Sequence, residues 1–151
     1  MQKNNKRIKT STLFRRLFKS PNLQEFMDIN ETALEIPSFH IYITELCQSM
    51  NYVPAQVIKN SSIERTYGHQ IFNGTRNPSR DKVIQLAFGF GLNVDGTQKL
   101  LKAAQKSLLY PKIKRDAAIL YCINNNIDII ETQGVLESLG LTLLGGDEKH
   151  E

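Results

Sequence analysis

The stretch "SIERTYGHQIFNGTRNPSR", Ser62 to Arg80, decides how the chain is read. Laid on a helical wheel at about 100° per residue from Arg65, it divides into two arcs. Arg65, Thr66, His69, Gln70 and Asn73 share one arc, all of them polar and able to hydrogen-bond. Tyr67, Gly68, Ile71 and Phe72 share the other, the face a packed helix turns to its core. Glu64 stands where an acid caps a helix N-terminus, and Gly74 where a left-handed glycine ends one. Gly68 costs about 1 kcal/mol in helix propensity. On the inward arc it admits a close neighbour, and Ile58 supplies the bulk for that space.

Helical spacing continues on both sides. Upstream, Phe39, Ile43, Leu46 and Met50 recur after Ser38, an N-cap residue, and "PAQVIKNS" predicts a short helix with Pro54 at its first position. Downstream, Ser79 caps a helix with the stripe Val83, Leu86, Ala87 and Phe90, closed by Gly91. A helix from about Asn93 carries Leu100, Leu101 and Ala104, and "SLLYPKIK" reads as a connector. Two more helices follow, over 115–124 and from the capping pair Asp128 and Glu131 to Gly140. Near the start, "SPNLQEFMDINETALEIPS" predicts one short helix with Leu23, Phe26 and Ile29 on its apolar face. No alternating strand pattern and no repeat at a solenoid period is recognised.

Charge is segregated along the 151 residues, which carry a net +4. Residues 1–20 hold Lys3, Lys6, Arg7, Lys9, Arg15, Arg16 and Lys19 and no acid. Residues 21–64 are acidic, 65–120 basic, and the end acidic again. Such blocks suit an anionic partner. "TSTLFRRLFKS" has the makings of a short basic amphipathic helix, fit for a membrane surface, a transit peptide or an arm around DNA; a frayed arm is the commoner case. Cys47 and Cys122 are far apart in apolar helical patterns and read as reduced core thiols, in keeping with a cytoplasmic protein. No run approaches the roughly 20 apolar residues of a membrane span.

Residues "VPAQVIKNSSIERTYGHQIFNGTRNPSRDKVIQLAFGFGLNVDGTQKLL" resemble the Cro/lambda-repressor-like helix-turn-helix (XRE) family. The shared features are the short helix, the turn at Ser61–Ser62, Ile63 and the run from Tyr67 to Ser79. The pattern continuing through "SLLYPKIKRDAAILYCINNNIDI" resembles a subgroup of small bacterial regulators with two further C-terminal helices. Pro54, Ile58 and Ser62 stand where that family often has Gln, Ala and Gly. The resemblance implies a five-helix domain that binds double-stranded DNA and regulates transcription. It implies base contacts from Arg65, Thr66 and Gln70, and phosphate contacts from His69, Asn73, Thr75, Arg76, Ser79 and Arg80.

The fold expected is therefore all-α. A basic, flexible arm (1–20) precedes a short helical extension (21–37), the helix-turn-helix domain (38–108), a C-terminal helix pair (109–145) and a disordered tail (146–151). No cofactor, metal or enzymatic activity is expected, because His40, His69 and His150 have no metal spacing and no nucleophile–base pair is present. A homodimer stays open as a partner. So does a protein partner, such as a kinase or another regulator, bound through residues 1–37 or the C-terminal helices.

Overall fold

A computed structural model describes residues 8–34 and 38–146. Among them are nine α-helices, one 3-10 turn and no strand. The chain divides into two compact units, Met1–Ile36 and Pro37–Glu151.

In the first unit, α1 (Thr10–Lys19) and α2 (Leu23–Ile29) are followed by the 3-10 turn Glu31–Leu34. Where the sequence suggested an arm, residues 10–19 are helical, because their wheel separates cleanly. Leu13, Phe14, Leu17 and Phe18 fall on one side, and Arg15, Arg16 and Lys19 on the other. Asn22 caps α2 by accepting from the Glu25 N–H. Phe26 is buried as expected, whereas Leu23 and Ile29 are exposed. The buried Asn30 is the polar pin of this unit: its amide donates to the Phe26 carbonyl and accepts from Arg16 Nη1 at 2.9 Å. Residues 1–7 of the expected arm and 35–37 of the extension lie outside the described residues.

The second unit holds α3 (Phe39–Ser49), α4 (Pro54–Asn60), α5 (Arg65–Asn73), α6 (Arg80–Phe90), α7 (Val94–Ala103), α8 (Lys114–Asn124) and α9 (Ile129–Ser138). Its helix ends follow the local chemistry. Glu64, Ser79, Asn93 and Asp128 each cap with a side-chain oxygen, and Gly74 and Gly91 end α5 and α6 in the left-handed region. Ser38 occupies the N-cap of α3 without making a side-chain capping bond. Ile43, Val57, Ile58, Ile71, Leu86 and Phe90 bring α3 to α6 onto one core. Cys47, within it, and Cys122 of α8 are buried free thiols, and burial pushes the Cys47 thiol above its ordinary range. Of the tail read from the sequence, Gly146 is in a turn and residues 147–151 lie outside the described residues.

Candidate nucleic-acid interface

α5 is held from behind by two close approaches. Gly68 faces Ile58 of α4, and a Cβ there would lie 2.8 Å from Ile58 Cγ1. Gly74, at φ 83°, sits against the His40 ring of α3, with Nδ1 2.8 Å from where a Cβ would be. The turn between α4 and α5 passes through Ser62 at φ 56°, a left-handed position without a glycine. The buried Gln85 of α6 secures it, its amide donating to the Ser61 carbonyl at 3.2 Å and the Ser62 carbonyl at 3.4 Å. Gly89 of α6 leaves room for Ser61 Oγ and the Val57 carbonyl, so α4 and α6 cross closely.

With its apolar side fixed in this way, α5 presents its polar arc. Arg65, Thr66 and Asn73 are exposed, and His69 and Gln70 half-buried. Glu64 does not stand as an isolated charge at the helix start. Its two oxygens accept from the Thr66 and Tyr67 N–H groups at 2.9 and 2.7 Å. The Tyr67 bond, then the Thr66 bond, hold its carboxyl below the usual range.

Beyond the helix, Arg76 folds back on α5. Its guanidinium lies 4.6 Å from the centre of the Tyr67 ring, within cation–π range. Its Nε donates to Gln70 Oε1 at 3.1 Å, and its backbone N–H to the Gln70 carbonyl. Lys82 Nζ lies 5.4 Å from the same ring. Tyr67 thus acts as a platform that brings Arg76 beside Gln70. The wheel put Tyr67 on the core side and gave no sign of that use. Asn73 Oδ1 accepts from the Thr75 N–H at 2.9 Å, which orients the loop carrying Thr75 and Arg76.

Two expected phosphate contacts have other duties. Ser79 caps α6, accepting from the Lys82 N–H. Arg80 forks onto Asp116 of α8 at 3.1 and 2.9 Å and donates to the Ser107 and Leu108 carbonyls. A guanidinium so engaged is part of the framework rather than of a polar surface. Its partners lie 27 to 36 residues further along, out of reach of any local pattern.

His69 and Asn73 also line a shallow groove of about 390 Å³ with Thr44, Pro54 and Phe72. Among the described residues, no group of three His, Cys, Asp or Glu could hold a metal ion, and no helix is long and apolar enough to cross a membrane. No protein-family model, curated protein or solved structure matches this chain.

Proposed function

We propose that this chain is a sequence-specific regulator that binds double-stranded DNA. Helices α3 to α7 then form a lambda-repressor-like five-helix domain, and α5 is the helix that enters the major groove. The observation that carries this reading is α5 itself, whose apolar side is locked by Gly68 and Gly74 while Arg65, Thr66 and Gln70 stay accessible. Side chains of these types pair with base edges: Arg with guanine, Gln with adenine, and the Thr methyl with thymine. Residues near the N-terminal half of the recognition helix make such contacts in helix-turn-helix docking.

His69, Asn73, Thr75 and Arg76 would position the phosphates, which fix register but carry no sequence information. Ser79 caps α6 and Arg80 forks onto Asp116 of α8, so a phosphate contact from either would have to be made alongside those bonds. The Gln70–Arg76 bond has a consequence for reading. Gln70 Oε1 accepts from Arg76 through one lone pair, which orients the amide and leaves a second lone pair and the amide N–H groups to pair bidentately with adenine.

Selection of bound sequences from a random DNA pool at moderate salt tests this reading, and an enriched site supports it. Against that site, Gln70→Ala is expected to weaken binding by about 1–3 kcal/mol and to relax preference at one base position. Equal loss on every DNA sequence would reassign Gln70 to the backbone. Affinity should also fall steeply with salt, by about 0.9 log units per log of salt for each phosphate neutralised.

A protein-interaction module is the second reading. It is favoured by Phe14 and Phe18 of α1, which stack at 6.0 Å and are 55% and 77% exposed. A salt-insensitive protein complex, with no enriched DNA, would favour it over the first.

A further inference from the structure

The α6–α7 hairpin recurs thirty-five residues on as α8–α9. Arg80 and Asp81 match Arg115 and Asp116, Ile84 matches Ile119, Thr97 and Gln98 match Thr132 and Gln133, and Leu109 matches Leu144. Their bonds match as well. Gln98 clasps both the N–H and the carbonyl of Leu109 at 2.9 Å, and Gln133 clasps both groups of Leu144 at 2.8 Å. Thr97 and Thr132, both fully buried, donate to the carbonyls of their N-cap residues, Asn93 and Asp128. Left-handed residues recur in step: Gly91 with Asn126, and Gln105 with Gly140. The sequence reading recognised no repeat; the structure contains one.

The two hairpins are joined crosswise. Arg80 holds the Ser107 and Leu108 carbonyls of its own unit and forks onto Asp116 of the other. Arg115 holds the Thr142 and Leu143 carbonyls of its own unit and forks onto Asp81, both bonds 2.9 Å. The Tyr110 N–H completes Asp116, and the Gly145 N–H, thirty-five residues on, completes Asp81. α6 packs on α9 as α7 packs on α8. Exchanging the two units maps each of these contacts onto another, which is the property of a twofold, isologous interface.

A surface that binds a copy of its own unit in this way is self-complementary. Whatever Arg80 and Asp81 find on α8–α9 is also present on α6–α7, where Asp81 stands for Asp116 and Arg80 for Arg115. We propose that the α6–α7 face is a docking surface for a second copy of this chain, and that α8–α9 is a duplicate unit filling it within the chain. The second copy enters when the α8–α9 hairpin is displaced, its own α6–α7 unit taking the vacated position.

Sedimentation equilibrium of the full chain over a wide concentration range tests this. Asp116→Arg sets two guanidiniums against each other within the chain and leaves Arg80 and Asp81 intact for a second copy. Self-association at least tenfold tighter than in the unaltered chain is expected. Adding Arg80→Asp restores attraction within the chain and opposes like charges between copies, so the double variant should return to the unaltered value. An Asp116→Arg chain that associates no more tightly than the unaltered one overturns the proposal, as does a double variant that associates as tightly as the single. If Asp116→Arg gives no folded protein, Asp116→Asn keeps the side-chain shape and the acceptor for Tyr110. Tighter self-association of that variant supports the proposal, and unchanged association overturns it.

Discussion

The two hairpins α6–α7 and α8–α9 share an inner face and differ on the outer one. Inside, Ile84 and Ile119, Thr97 and Thr132, and Leu101 and Leu136 are all fully buried at matching positions. Outside, Leu86 of α6 is fully buried while its counterpart Tyr121 is 64% exposed. Gly89 lies under α4, and its counterpart Asn124 is exposed. The framework was kept in both copies, whereas the outward face was shaped by what it carries. α6 carries α4, the turn at Ser62 and, through them, α5; the equivalent face of α8 carries Tyr121 and Asn124 into solvent.

The sharpest way to break this comparison is to substitute one outward position in both copies. At Gly89 a Cβ would meet Ser61 Oγ and lie 2.5 Å from the Val57 carbonyl, a backbone atom that cannot swing aside. Gly89→Ala gains about 1 kcal/mol in helix propensity but overpacks the α4–α6 crossing. A net loss of about 2 kcal/mol is expected from denaturant unfolding. Asn124→Ala in the other copy should change stability by less than about 0.5 kcal/mol. Equal effects at the two positions would mean that the outward faces are not used differently.

A second comparison concerns acid. Burial pushes the Asp81 carboxyl up, but the Arg115 hydrogen bonds, the Gly145 N–H and the charges of Arg115 and Arg80 outweigh it. They hold Asp81 below its ordinary range. The unfolded chain therefore binds a proton at Asp81 more readily than the folded one. The stabilisation is fully present above the unfolded value, near pH 4, and is lost as pH falls through the lower folded value. Asp81→Asn should cost about 1.5 kcal/mol at neutral pH. Its melting temperature should approach that of the unaltered chain as pH falls through the lowered folded value of Asp81. A gap that persists unchanged into acid would show that shape, not charge, makes Asp81 matter.

Much of this was legible in the sequence, and the reason is locality. Glu64, Ser79 and Asp128 cap helices because the groups they satisfy lie two or three residues away. The inward arc of α5, with Gly68 against Ile58, followed from periodicity and one missing side chain. The Arg80–Asp116 fork was not legible because a guanidinium beside a basic loop looks the same whether it meets a phosphate or an aspartate 36 residues on. Gln85 was missed because a polar residue in a helical stripe gives no sign that it will hold a turn 23 and 24 residues upstream. The duplication was hidden because only inner-face residues repeat, and the divergent outer positions interrupt them.

The smallest expected effect tests whether the copies are equal where they should be. Asn93 and Asp128 occupy matching N-caps; Asn93 Oδ1 accepts from the Gly96 N–H at 2.8 Å, and Asp128 Oδ1 from the Glu131 N–H at 2.9 Å. Each of these bonds stays within the first turn of its own helix. Asn93→Ala and Asp128→Ala should therefore cost nearly the same, about 1 kcal/mol each, in denaturant unfolding of the second unit as one transition. Exchange of the cap types sharpens the point. Asn93→Asp adds a negative charge at a helix N-terminus and should gain a few tenths of a kcal/mol, at the low end of what such a charge contributes at an exposed site. Asp128→Asn should lose a similar amount. A loss at one cap several times that at the other would mean that α6–α7 and α8–α9 do not unfold together. The crosswise Arg–Asp clasps would then join two hairpins of unequal stability rather than close one cooperative unit.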